Sequence, residues 1–364
     1  GCRCSAIAPM TDARQLRVLD TGVVEGCLNI AIGQAIIESR QKGAVPDTLR
    51  FLRFPPTALV GRHQALGQEL DLEFCAARDI GVVRRITGGG AIFLDPGQLG
   101  WELALDRRTL GISSLPDLTR TICEAAADGI SRLGVEAAYR PRNDIEVGGR
   151  KISGTGGFFD GNTLFFQGTV LVDMDPQLMV SALRVPRAKL EKHDLDAAES
   201  RVVTLRELMG ENTPPLDRIQ QVLTAAFCEH FGLEARRGDL EPSERAWAEA
   251  FLAEEIGTAD FIHGVDEPAD PRGVLRGRQT SAGGTVTVYL RLEGPAQNRV
   301  REALVTGDFF VTPPRTIYDL ESRLRGEFLE DLEPVIRSFF NQADVEVLSV
   351  SPDDMVAAFK DALQ

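Results

Sequence analysis

The sequence predicts an α+β protein: a mixed, mainly antiparallel sheet with flanking helices, followed by a small second α+β domain. Three observations carry this. Short β-rich segments stand next to one another, joined by glycine and proline turns, as antiparallel strands allow. Helical periodicities fall between groups of strands rather than after each strand, which argues against a doubly wound sheet. The composition shifts to Glu, Asp, Arg, Gly and Pro over residues 235–284, between two better patterned regions, as at a domain boundary. The chain of 364 residues also exceeds the roughly 250–300 residues at which a single core stops growing.

In chain order, residues 1–15 are small and polar and are expected to be flexible. From Asp20 to Lys42 apolar residues recur at Val24, Leu28, Ile32 and Ile36, the spacing of an amphipathic helix, with Asp20 or Thr21 as cap and Gly43 as stop. Thr48–Phe54 reads as a strand closed by Pro55-Pro56, and Ala58–Val60 as a short apolar strand. Leu72–Arg78 reads as a helix and Val82–Ile86 as a strand. Ala91–Phe93 and Gly100–Leu105 read as an antiparallel pair. A helix is expected from Asp117 to Leu133, stopped by Gly134. Strands follow at Asp144–Val147 and Leu164–Val172, and a helix at Leu216–Phe231. The first domain is thus placed at 16–240, a linker or hinge at 241–284, and the second domain at 285–364. In the latter, Val286, Val288, Leu290 and Leu292 alternate as in a strand. Ala303–Phe310 is a second strand, and Asp319–Phe328 and Asp354–Leu363 read as helices.

The formal net charge of −14 and pI near 4.9 disfavour a nucleic-acid partner, which is held mainly by Lys and Arg on phosphates. No apolar run approaches the ~20 residues of a membrane span, and the start lacks a signal-peptide pattern. Cys27, Cys75, Cys123 and Cys228 lie singly in apolar or helical contexts. No disulfide framework follows, which fits a reducing cytoplasm. Cys2 and Cys4 have no ligand-forming neighbours and read as part of a loose tail.

The main chemical signal is Arg84-Arg85-Ile86-Thr87-Gly88-Gly89-Gly90-Ala91-Ile92-Phe93. Three glycines after a strand let backbone approach a ligand closely. Their N–H groups can hold phosphate or carboxylate oxygens, and the arginines add charge and a bidentate fork. The spacing is neither a nucleotide-hydrolase phosphate loop nor a dinucleotide fingerprint. A second signal is Asn143-Asp144, then Gly149-Arg150-Lys151-Ile152-Ser153-Gly154-Thr155-Gly156. A carboxylate beside a carboxamide suits Mg²⁺ and nucleotide contacts. A lysine at a strand start can stabilise an attacked carboxylate, and Ser153–Gly156 reads as a second close-approach loop.

These motifs resemble those of the lipoate–protein ligase family. Arg84–Phe93 is similar to R-R-x-[ST]-G-G-G-A-[VI]-F, and Asn143–Ile145 with Gly149–Gly154 to N-D-[IL]…G-[RK]-K-[IV]-S-G. Phe166–Asp173 is similar to the H-G-T-[LV]-L segment and Ser200–Leu205 to S-R-V-x-x-L. Asn29–Ala31, with Arg50, Arg53, Gly61, Arg62 and Gln64, is similar to the start of the same domain. Gly307–Phe310 is similar to a segment of the family's C-terminal accessory domain. The chain departs from the pattern at Gln167, where His is usual, at Leu94 in place of the His before Asp95, and at Gly33-Gln34, where N-x-A-x-D-E places acids.

The resemblance implies a biotin/lipoate ligase-like catalytic domain plus an accessory domain. It implies that ATP, with Mg²⁺, activates lipoate or an octanoate-like acid to an acyl adenylate. The acyl group then passes to a lysine of a lipoyl-carrier protein. In that reading Lys151 is catalytic, contacting the carboxylate and then the adenylate. Arg84, Arg85, Thr87 and Gly88–Gly90 line the adenylate, and backbone at Ala91–Phe93 reads adenine. Asn143 and Asp144 serve phosphate and Mg²⁺, and Ser153, Gly154, Thr155, Gly156, Gln167, Gly168 and Thr169 complete the binding set. The accessory domain is expected to rotate about 235–284 between half-reactions. One rival is a transferase of the same fold that acts through a cysteine thioester without ATP. Residues 169–206 hold no cysteine, and Cys228 comes next. A second is a relative that binds lipoate without ligation. A biotin ligase is disfavoured by the missing G-R-G-R motif.

Overall fold

The computed structural model describes residues 14–184, 201–342 and 344–364. The loose start expected at 1–15 lies outside them, except Arg14 and Gln15, which begin a strand. Eight strands form the main sheet: β1 (Arg14–Val23), β2 (Asp47–Arg53), β6 (Gln98–Asp106), β7 (Ala137–Arg140), β8 (Asp144–Val147), β9 (Arg150–Asp160), β10 (Thr163–Leu171) and β11 (Leu233–Arg237), in the order β11-β1-β2-β6-β10-β9-β8-β7. β1 runs parallel to β2 and β11, and the remaining pairs are antiparallel. A second sheet holds β3 (Thr57–Val60), parallel to β4 (Gly81–Arg84) and antiparallel to β5 (Ile92–Leu94). The fold is α+β with mainly antiparallel sheets.

Both faces of the main sheet are covered, so its strands bury residues in both directions. Trp101, Leu103, Leu105, Leu164 and Phe166 pack with the helices Leu115–Ser131 and Leu216–Phe231. Leu52, Ala104, Phe158 and Phe165 pack with α1 (Gly26–Gln41) on the other face.

Several elements differ from the sequence reading. The first helix starts at Gly26, not Asp20, and Glu25 caps it by accepting from the amides of Cys27 and Leu28, 3.0 Å each. Asp20 instead belongs to β1 and accepts from Gly22, whose φ of +67° turns the strand end. The expected pairing of Ala91–Phe93 with Gly100–Leu105 does not form. β5 pairs with β3 and β6 with β2 and β10, because the chain crosses between sheets at Asp95, which accepts from Gly97 N and Gln98 Nε2. Ser114, not Asp117, caps the next helix. Ser153–Gly156 is strand β9 rather than a loop.

Residues 241–284, expected as a linker, are folded. The helix Pro242–Phe251 packs along α1, with Ala248, Ile256 and Phe261 in its core. Arg17 of β1 grips buried Glu244 with two hydrogen bonds of 2.8 and 2.7 Å. β12 (Val274–Ser281) pairs with β13 (Gly284–Glu293), which pairs with β14 (Arg299–Gly307). This sheet packs under the helices Thr316–Leu324, Leu332–Phe340 and Pro352–Ala362. The expected strand Ala303–Phe310 is broken at Asp308, and β15 (Phe310–Thr312) pairs with β16 (Glu346–Leu348). Among the described residues no helix is long and apolar enough to cross a membrane.

Candidate functional site

A cavity of about 260 Å³ lies on the α1 face of the main sheet, under the β3–β5 sheet and the glycine loop. Among its lining residues are Arg85, Thr87, Gly88, Gly89, Gly90, Ala91, Ile92, Phe93, Asn143, Lys151, Gly154, Thr155, Gly156, Gln167, Gly168 and Thr169. Four separate stretches of sequence thus meet around one space. The rest of the wall is largely apolar, from Ile30, Leu52, Phe54, Leu59, Leu171, Met174, Met179 and Leu183. An apolar cleft with a few polar groups is the usual form of a small-molecule site.

Lys151 enters at the start of β9. Its ammonium lies 3.0 Å from Asp144 Oδ1. Gly154 makes this possible, since a Cβ there would meet Lys151 Cε at 2.9 Å. The Lys151 backbone is bridged to the segment after residue 200: its amide donates to Arg201 O at 2.8 Å and its carbonyl accepts from Val203 N at 2.9 Å. The S-R-V motif therefore fixes the lysine, and Val202 joins the cavity wall. Ser200 lies outside the described residues. Asn143 Nδ2 donates to Thr155 O at 2.7 Å, and Asn143 O accepts from Thr155 Oγ1 at 2.7 Å, so Asn143 locks the strand behind the lysine. Gln167 Nε2 donates to Thr87 Oγ1 at 2.7 Å, tying the glycine loop to the sheet floor.

Three expected site residues do not line the cavity: Arg84, Asp144 and Ser153. Arg84 is fully buried and spends its guanidinium on the carbonyls of Gly61, Arg62, Gln64, Phe261, Ile262 and Val265. It is a tie between the β3–β5 sheet and the segment 258–265. Asp144 pairs with Lys151, and buried Ser153 Oγ has no hydrogen-bond partner among the described residues. Arg85 lines the cavity, but its Nη2 donates to Gly88 O and Gly90 O, 2.8 and 2.9 Å away. The expected fork thus shapes the loop. Burial and the neighbouring Arg84 push the Arg85 guanidinium down to about 10, still cationic at neutral pH.

The glycines also serve a close approach that the sequence did not reveal. A Cβ on Gly88 would meet Phe309 O at 2.2 Å, and one on Gly89 or Gly156 would meet the Phe310 ring at 2.7 or 2.0 Å. The C-terminal domain therefore lies on the loop, with Phe310 in the cavity wall. Among the described residues nothing lies within 4 Å of a Cβ at Gly90. Sequence reasoning also missed Glu102, a lone acid in the apolar run of β6, which lines the cavity with its carboxylate 3.1 Å from Arg50 Nη1.

None of the described cysteines lines the cavity. Burial pushes the Cys27 thiol up to about 11 and the Cys123 thiol up to about 12, and raises Cys75 and Cys228, the reverse of an activated nucleophile. Among the described residues no group of three His, Cys, Asp or Glu side chains could hold a metal. Asp144 is the carboxylate that pairs with Lys151 among the described residues.

Residues 26–228 match the family model for the lipoyl protein ligase A/B catalytic domain, and the chain belongs to that family. Octanoyltransferase LipM of Kyrpidia tusciae is 28% identical over 264 residues, covering 66% of this chain and 96% of its own. Lipoate–protein ligase 1 of Staphylococcus aureus is 26% identical over 320 residues, covering 87% and 91%. The structure of P. falciparum LipL1 in complex with lipoate is similar in fold, at 16% identity and a TM-score of 0.69, over 91% of this chain and 95% of that one. The protein is thus an enzyme of the lipoate ligase and octanoyltransferase family.

Proposed function

We propose that the chain is an ATP-dependent, AMP-forming lipoate–protein ligase. A carboxylate oxygen of lipoate or an octanoate-like acid attacks the α-phosphorus of ATP, and pyrophosphate leaves. The lysine amine of a lipoyl-carrier protein then attacks the carbonyl carbon of the mixed anhydride. AMP departs, the amine loses a proton, and an amide forms.

The observation that carries this reading is Lys151 in the wall of a largely apolar cavity shared with the glycine loop. The apolar wall takes the chain, and the ammonium faces the carboxylate and the charge that develops during its activation. Asp144 holds the ammonium in place until the substrates arrive. The open side of Gly90 offers room for the nucleotide. Mg²⁺ would come with the nucleotide's phosphates, with Asp144 and the Asn143 side-chain oxygen as protein donors, since this ion keeps few protein ligands. Catalysis is then chiefly positioning and charge stabilisation.

The octanoyltransferase reading has the similarity to LipM in its favour. Two observations weigh against it. The cavity has no described cysteine in its wall, and residues 185–200, outside the described set, contain none. The match to the Staphylococcus aureus ligase also covers more of this chain, 87% against 66%. Lipoate-dependent ATP–pyrophosphate exchange tests the reading. Exchange in the wild type that Lys151→Ala abolishes supports the ligase. Octanoyl transfer from a carrier protein without ATP, in the absence of exchange, establishes the transferase instead.

A further inference from the structure

The cavity of an enzyme that takes a plain alkyl chain has no use for a buried carboxylate, yet Glu102 lines this one at 5% exposure. Its Oε2 accepts from Arg50 Nη1 at 3.1 Å. Arg50 is itself fully buried and is further held by Asn29 O at 3.0 Å, by Asn29 Oδ1 and by Thr21 Oγ1 at 3.0 Å. Among the described residues Glu102 Oε1 accepts no hydrogen bond. Burial raises the carboxyl group above its usual range, against the pull of Arg50. Gly33 makes room for this group: a Cβ there would come within 3.3 Å of both Glu102 oxygens. The helix turn at Gly33-Gln34 carries no acid of its own, and the strand acid Glu102 stands against it.

The sheet register fixes where Glu102 lies along a bound acid. Glu102 faces Gln167 across β6 and β10, and Gln167 faces Gly156 on β9. The Lys151 ammonium lies over Gly154, 3.0 Å from its Cβ position. Two strand spacings of about 4.8 Å and two residues of about 3.3 Å put Glu102 roughly 12 Å from that ammonium. With C–C bonds of about 1.5 Å, an extended acid of about eight carbons held at Lys151 reaches Glu102 with its far end.

We propose that Glu102 is the specificity-determining residue of the acyl cavity, selecting medium-chain acids with a hydrogen-bond donor, such as a hydroxyl or thiol, at the end remote from the carboxylate. A wholly apolar end strips water from Oε1 and returns nothing, whereas a donor restores the lost hydrogen bond. The inference rests on the acid-binding reading of the cavity given above.

Octanoate and 8-hydroxyoctanoate differ only at that end. Their binding is measured by calorimetry without nucleotide, and each is then offered in pyrophosphate exchange. The wild type is expected to bind 8-hydroxyoctanoate about tenfold more tightly. Glu102→Gln keeps an acceptor for Arg50 but loses the charge, and should narrow the ratio to about threefold or less, because charge-assisted bonds are the stronger ones. The double variant Arg50→Leu/Glu102→Leu removes the pair together, which buried pairs often tolerate, and should prefer octanoate. Equal or tighter binding of octanoate by the wild type overturns the proposal, as does a ratio unchanged in either folded variant. A binding preference without exchange would overturn the ligase reading and leave this one standing. Exchange with no preference would do the opposite.

Discussion

The carbonyl oxygen of Phe309 accepts a hydrogen bond from the backbone amide of Gly89 at 3.1 Å. One N–H of the glycine loop is thereby held by the C-terminal domain, and Phe309 itself is anchored by stacking on His63 with ring centroids 5.5 Å apart. Gly88→Ala should break this contact, because its Cβ would lie 2.2 Å from Phe309 O, a backbone atom that cannot swing away. Hydrogen exchange at the Gly89 amide should accelerate at least about tenfold if the bond is lost. Gly90→Ala, with open space around it, should leave that exchange rate unchanged. Equal rates in both variants would show that the domain does not rest on the loop.

Arg84 gathers carbonyls from two distant stretches, so its loss strands several acceptors at once. Arg84→Met should cost roughly 3 kcal/mol or more, given about 1–3 kcal/mol for each buried acceptor left unmade. That corresponds to a fall of roughly 10 °C in Tm for a domain of this size. Thermal unfolding followed by circular dichroism checks it. A Tm within about 2 °C of wild type would mean that water replaces the guanidinium without cost.

Cys228 sits on the helix Leu216–Phe231 with its thiol pushed up by burial. Cys228→Ser should leave exchange within about twofold of wild type, a change of roughly 0.4 kcal/mol. Lys151→Ala should lower it by about a hundredfold or more, in line with the loss of a charged transition-state contact. The reverse pattern would move the chemistry to the cysteine.

Two carboxyls give the stability a pH dependence. Burial pushes Glu321 up to about 7, with the Val305 amide opposing. Burial and then Asp308 push Glu69 up to about 7. In both, the folded chain holds a proton that the unfolded chain releases near 4.5. Their contribution to stability is therefore full below the unfolded value and is lost as pH rises through 7. Glu321→Gln keeps the acceptor for Val305 N, 3.1 Å away, and should raise Tm at pH 8 while changing it little at pH 5. Equal shifts at both pH values would place the proton elsewhere.

The sequence announced the site more completely than the fold around it. Thr87–Phe93, Lys151 and Gly154–Gly156 were legible because glycine runs beside cations mark a close backbone approach, and the structure brings them to one cavity. Arg84 misled because charge in a motif reads as charge for a ligand, while its partners, the carbonyls of residues 261–265, lie about 180 residues away. β1 was hidden because both its neighbours are remote in sequence and Asp20–Val24 continues the helical spacing that follows. The segment 241–284 looked like a linker because the helix Pro242–Phe251 buries only a narrow stripe, Glu244 and Ala248, under a polar surface.

β1 is flanked by β2 on one side and by β11 on the other, and its Arg17 waits for Glu244. A ribosome releases these partners in order, so β1 is made before both of its neighbours and is completed only after the second of them. Until residues near 244 emerge, one edge of β1 has no ladder and Arg17 has no carboxylate. A fragment ending at residue 228 would hold every glycine of the motif loop and the lysine, yet lack the strand and the acid that close the sheet. The unit that folds is therefore longer than the unit that carries the chemistry, and any shortened version of this enzyme has to keep the chain through Val265.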